Sequence, residues 1–348
     1  MKKLMGILLA LCLCLCGTAL AADDNVVYVC NYYDYIDEEV LQLFTEETGI
    51  RVEYINLMDN EALLQEMEIS PAAFDVVVPS DYMVERLIAK DMVMELDWEK
   101  LPNAVQYTME SLKKPSFDPE GKFSVPYMWG TVGILYNTTM VDDPVDSWEI
   151  LWNEKYANNV IMIDNIRDAM GIGLKVLGYS MSSTDEDQLF AAADKLIEQK
   201  QKGIVRAYQL DETKDRMIGG EAALAVVYSG DAEFAVRGNS DLAYAIPKEG
   251  ANIWMDNMMI PKQAPHKENA LRFIDFMCRP EIAQMNCEEI GYSSPNSGAI
   301  ELMGEEYDSY IQNPADEDIA RCEFYHDIPA NVLTDTYEPL WTDVQNAH

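Results

Sequence analysis

Three short segments of this chain set aromatic rings beside carboxylates: Asn31-Tyr32-Tyr33-Asp34-Tyr35, Tyr228-Ser229-Gly230-Asp231 and Trp254-Met255-Asp256. In an extended segment alternate side chains share a face, which would place Tyr32 with Asp34 and Trp254 with Asp256. A ring face beside a carboxylate suits an organic ammonium, because the ring quadrupole and the anion both attract the cation. Each pair taken alone has an ordinary explanation. Asp231 reads as a helix-start carboxylate held by the dipole, Asp34 as a turn cap and Trp254 as core. Three such pairs, all beside expected strand ends, point to a cation cage.

The elements that must position them alternate in type. β-branched or apolar runs at 26–30, 50–54 and 74–78 read as strands. Apolar stripes at 37–48 and 60–69 read as helices, the first capped by Asp37 and stopped by Gly49. The pattern restarts after an irregular middle at 113–122. Strands are expected at 160–163, 222–227, 242–246 and 253–260, and helices at 167–177, 186–202, 230–237, 266–277 and 280–290. Buried strands alternating with helices argue for an α/β fold, its mostly parallel sheets covered on both faces. No repeat, low-complexity tract or flexible linker interrupts the chain, so two lobes folded against each other are expected.

The chemistry-bearing groups fall just after strands. Tyr32–Tyr35 follow the first strand, and Ser80-Asp81-Tyr82 the third. Asp164-Asn165 and Asp168 follow 160–163, and Tyr228–Asp231 follow 222–227. Ligands of open α/β sheets bind beyond the carboxyl ends of the strands, so these groups outline a cleft between lobes.

Residues 1–22 read as a secretory signal, with Lys2 and Lys3 before an apolar stretch and a small-residue cleavage region near Ala21. The Cys16-Gly17 pair raises a lipid-anchored form as the minority reading. Loss of this leader takes the net charge from −36 to −38. So acidic a surface excludes nucleic acid as a partner, since phosphate binding needs clustered Lys and Arg. Cys30, Cys278, Cys287 and Cys322 remain, even in number; disulfides and free thiols both stay open. No metal-ligand spacing or catalytic motif appears, and no cofactor is expected.

Several longer stretches extend the pattern: Phe44-Thr45-Glu46-Glu47-Thr48-Gly49-Ile50, Val76-Val77-Val78-Pro79-Ser80 and Val125-Pro126-Tyr127-Met128-Trp129-Gly130. Lys248-Glu249-Gly250, Trp254-Met255-Asp256 and Ile290-Gly291-Tyr292 continue it. On these residues the mature chain resembles the bacterial spermidine/putrescine-binding proteins, extracytoplasmic receptors of polyamine ABC importers. The resemblance implies a two-lobed periplasmic-binding-protein fold of type II, monomeric, closing on its ligand and docking to a membrane permease. It places lobe one at about 23–133 plus 254–300, and lobe two at about 134–253 plus 301–348. It implies ligand-binding roles for Tyr32, Tyr33, Asp34, Tyr35, Ser80, Tyr82, Asn165, Asp168, Tyr228, Asp231, Trp254, Asp256, Tyr292 and Tyr325. Asn165 stands where spermidine-preferring relatives carry Asp, and Asp231 resembles an acid of putrescine-preferring ones, so putrescine is favoured over spermidine.

Two rival readings remain at this level. A ferric-iron receptor of the same superfamily could use Tyr32, Tyr33 and His326, but the three histidines form no local metal motif. A secreted glycoside hydrolase could pair two carboxyls, a weak signal among 61 acids.

Overall fold

The computed structural model describes residues 24–304, 311 and 314–347. The expected leader lies outside them, and so does His348. Among the described residues nine strands organise the fold: β1 (Val26–Asn31), β2 (Arg51–Asn56), β3 (Val76–Val77), β4 (Val125–Asn137), β5 (Val160–Ile163), β6 (Val205–Gln209), β7 (Leu224–Tyr228), β8 (Leu242–Ala245) and β9 (Ile253–Met258).

In the first lobe β1 lies between β2 and β3, all parallel. β9 runs antiparallel beside β3 through the Val77–Met259 and Ser80–Asp256 bridges, and the first half of β4 pairs with β9. In the second lobe β5 lies between β6 and β7, again parallel. The second half of β4 pairs antiparallel with β7 and β8. Three parallel strands thus form the core of each sheet; those of the first lobe and β5 and β7 were expected, whereas β6 was not read from the sequence. The antiparallel pairs come from β4 and β9, which pair with each other where the chain passes between lobes.

β4 went unread as one strand because it contains Pro126, Gly130 and Gly133, which normally argue against a strand interior. The structure gives each a place. The register shifts between Pro126 and Met128, accommodating the missing N–H. A Cβ at Gly133 would lie 2.4 Å from the Tyr244 ring, and one at Gly130 would lie 2.6 Å from the Trp254 ring.

Helix boundaries follow the local chemistry. Asp37 accepts the Glu39 N–H at 2.8 Å at the start of Glu38–Thr48, and Gly49 ends that helix at φ 71°. Both faces of the first sheet are buried. Val27, Val29, Phe44, Phe273 and Ile274 lie on one side, and Cys30, Leu63, Val77, Met83 and Met255 on the other. The second lobe packs Ile134, Leu151, Ile161, Leu174 and Leu196 with Tyr337, Leu340 and Val344 from the C-terminal region. Each such aliphatic side chain contributes roughly 1.5–3 kcal/mol by burial. Among the described residues Cys30, Cys278, Cys287 and Cys322 form no disulfide with one another. No helix among the described residues is long and apolar enough to cross a membrane.

Candidate functional site

Asp256 sits in β9 and is 6% exposed. Tyr35 donates to one oxygen at 2.6 Å and Ser80 to the other at 2.6 Å. Ser80 is placed by the bend after β3, where Asn60 holds its N–H at 3.0 Å and its hydroxyl at 3.1 Å. Tyr32 donates to the same Asn60 at 3.0 Å. The Tyr35 backbone is fixed in turn, its carbonyl accepting from Tyr127 at 2.8 Å and Asn31 at 3.2 Å. Burial raises the Asp256 carboxyl above the ordinary aspartate range, and the Ser80 and Tyr35 hydroxyls pull it partly back.

The second lobe repeats the device. Asp168 lies in the first turn of the helix Ile166–Val176 and is 2% exposed. Tyr228 donates to one of its oxygens at 2.7 Å. Tyr325 and Asn252 donate to the other at 3.0 and 3.3 Å. Burial again raises this carboxyl, opposed by its three hydrogen-bond donors. Asn165 caps the helix, accepting from Arg167 at 2.9 Å and Asp168 at 3.2 Å, while its amide reaches the Tyr228 hydroxyl at 3.3 Å. Tyr35, Tyr228 and Tyr325 all have phenols pushed well above their usual range by burial, so they remain hydroxyl donors.

Aromatic rings form a continuous wall. Trp254 meets Tyr292 edge-on at 4.8 Å and Tyr228 at 6.4 Å. Tyr35 meets Tyr292 at 6.2 Å and Tyr32 at 5.6 Å. All fourteen residues singled out from sequence line one cleft of about 1190 Å³, with walls from both lobes.

Their surroundings differ. The expected extended pairing of Tyr32 with Asp34 does not hold, because β1 ends at Asn31 and the chain turns, with Asp34 at φ 49°. Tyr33 is therefore 66% exposed and Asp34 also faces solvent. Asp231 already has a cationic partner, Lys214 at 3.2 Å. Tyr82 donates to Glu61 at 3.1 Å and carries the Arg167 guanidinium over its ring at 4.1 Å.

A two-lobed α/β molecule with an aromatic, acid-lined cleft is the architecture of an extracellular solute receptor, and the bacterial extracellular solute-binding protein family matches residues 39–315. The chain belongs to that family. This solute-binding protein is 36% identical over 292 residues to the spermidine/putrescine-binding periplasmic protein of Salmonella typhimurium, covering 83% of each chain. It is 34% identical over 329 residues to the protein of the same name from Escherichia coli, covering 93% of this chain and 94% of that one. Among solved structures, the spermidine/putrescine substrate-binding protein PotD from Streptococcus pneumoniae superposes with a TM-score of 0.82 at 38% identity. That superposition covers 92% of this chain and 98% of the other.

Sequence reasoning missed several groups that this solute-binding protein brings to its cleft. Asn60 orders Tyr32 and Ser80, Arg167 stacks on Tyr82, and Asn252 supports Asp168. Asn252 is the most informative. A carboxylate oxygen only accepts, so the amide presents its NH₂ to Asp168 and leaves its Oδ1 buried without a donor. The available signal was its place two residues before Trp254, at the entry to β9.

Proposed function

We propose that this protein is the extracytoplasmic receptor of a polyamine ABC importer. It binds putrescine and spermidine, with putrescine favoured, and performs no catalysis. The observation that carries the reading is the matched pair of buried carboxylates, Asp256 from one lobe and Asp168 from the other. Each is oriented by hydroxyl donors and flanked by the Trp254–Tyr292–Tyr228 ring wall.

A polyamine at neutral pH is an apolar chain with charged ends. The rings cover its methylenes, each cation–ring contact contributing roughly 0.5–2 kcal/mol. Burying an ammonium costs several kcal/mol unless an anion and further acceptors offset it, and that is the task of the two acids. Asn252 Oδ1 supplies a further acceptor beside Asp168. Asp256 and Asp168, one buried acid in each lobe oriented by hydroxyl donors, match the two ammonium groups of putrescine. The third charge of spermidine would meet the solvent-facing Asp34, where pairing is worth less. The lean toward putrescine rests on this pair and on the neutral Asn165 rather than on Asp231, which Lys214 neutralises.

The other nominated residues act as walls and rim. The lobes, 23–133 plus 254–300 and 134–253 plus 301–348, close on the ligand as a monomer and present it to the permease. The switch of β4 partners between Thr131 and Val132 supports that division. The exported location follows from the leader. The ferric-iron reading finds little support, since Tyr32 bonds Asn60 and His326 bonds Glu85.

Thermal-shift titration with putrescine, cadaverine, spermidine and spermine tests the proposal. A ligand at a hundred times its Kd stabilises the folded state by about 2.7 kcal/mol. Melting should rise with putrescine and spermidine. No rise with any polyamine would overturn the reading.

A further inference from the structure

One face of the helix Asp81–Ala89 touches the opposite lobe at two separate places. Inside the cleft, Arg167 of the second lobe lies over the Tyr82 ring at 4.1 Å. Both its terminal nitrogens are buried without a hydrogen-bond acceptor, so it holds the first lobe through that ring face and through its charge near the buried Asp81 carboxylate of the same helix. One turn later Arg86 donates to Asp327 through Nε at 2.8 Å and Nη2 at 2.5 Å. Asp327 directly precedes Ile328, which is buried in the core of the second lobe. Its N–H also bonds Glu85 at 2.8 Å. Glu61 links the two places, accepting from Tyr82 at 3.1 Å and lying 4.0 Å from Arg86.

The residues therefore form a chain that leaves the second lobe at Arg167, crosses the first through Tyr82, Glu61 and Arg86, and returns at Asp327. The spacing explains why one helix serves both ends, because residues four apart share a face. The Arg86 side chain is 15% exposed and Asp327 30%, so their bond is better shielded from water and salt than an ordinary surface pair.

We propose that Arg86, with Asp327, and Arg167, on Tyr82, are positioning residues that clasp the two lobes together and set how long the ligand is retained. This rests on the reading of a cleft that closes on polyamine. The Arg86–Asp327 end of the clasp acts through the closed state, so its loss speeds release of putrescine and spermidine by the same factor. A residue touching one amine would instead change their ratio.

The test compares wild type, Arg86→Ala, Asp327→Ala and the charge-reversed double variant Arg86→Asp with Asp327→Arg. Stopped-flow tryptophan fluorescence reads ligand dissociation, and small-angle scattering of the ligand-free protein reads lobe separation. Each single variant should release both polyamines about tenfold faster, at nearly unchanged association rates, and show a larger radius of gyration. The double variant should recover both readouts, which a folding defect would not do. Unchanged dissociation and unchanged radius in the single variants would overturn the clasp, as would an effect confined to one polyamine. If wild type binds no polyamine, the functional reading fails, and the scattering comparison alone decides whether the clasp holds the lobes.

Discussion

Tyr35 and Asp256, 221 positions apart, are joined by a hydrogen bond of 2.6 Å at the floor of the cleft. The bond brings the turn after the first strand to β9, the last strand, which bridges to β3 and pairs with β4. It orients an acid that burial would otherwise drive toward its neutral form. Ser80 holds the other oxygen, so the carboxylate is set before any ligand arrives.

Asp256→Asn should lose roughly 2–5 kcal/mol of polyamine binding, because an ammonium would then be buried without its anion. Titration calorimetry checks this, and a loss below about threefold would remove Asp256 from the ligand contacts.

The same substitution should raise the stability of the ligand-free protein. The Asp256 carboxyl is lifted above its unfolded-state range, so the folded state holds a proton more tightly than the unfolded chain. Its penalty is complete above the folded pKa and is relieved as pH falls through that value toward the ordinary aspartate range. Asp256→Asn should therefore melt higher than wild type at neutral pH, with the difference shrinking on acidification. A lower melting temperature at neutral pH would contradict the assignment.

Binding itself should weaken on acidification. Asp168 and Asp256 are both raised by burial, whereas polyamine amines stay charged, so protons compete with ligand above the ordinary aspartate range. Calorimetry in buffers of different ionisation enthalpy should show proton release growing as pH falls. Affinity independent of pH across that range would count against both acids.

Asn252→Leu should reduce affinity by about tenfold, since it removes one donor to Asp168 and one free acceptor beside it. Leucine suits the apolar crossing, so the fold should persist. An unchanged Kd would show that Oδ1 meets no ammonium.

Gly230→Ala tests closure through sterics. A Cβ there would lie 2.3 Å from the Tyr292 ring, which belongs to the opposite wall of the cleft. The variant should hold the lobes apart and weaken binding tenfold or more, at little cost in stability. Calorimetry with a melting curve separates the two effects.

Much of this was legible in the chain. The helices Asn60–Ile69 and Pro280–Ile290 and the strand β5 follow their apolar periods and caps to the residue. Tyr32, Ser80, Asp168 and Tyr228 were found because carboxyl ends of parallel strands collect on one edge, Trp254 and Asp256 from their spacing, and Tyr292 and Tyr325 only from the family resemblance. β4 was hidden because its glycines answer to rings on other strands, a tertiary demand that local propensity does not carry. Asn60, Arg167 and Asn252 were missed for a related reason. Each resembles a helix-start or loop residue until the fold sets Ser80, Tyr82 or Asp168 beside it. Asp34 shows the opposite error, an extended reading broken by a turn at φ 49°.

A crystal structure of the putrescine complex tests the central claim most directly. One ammonium should lie within hydrogen-bond distance of Asp256 and the other of Asp168, with the methylenes against Trp254 and Tyr292. A diamine bound elsewhere, or one held with both carboxylates still facing only their own hydroxyl donors, would contradict it.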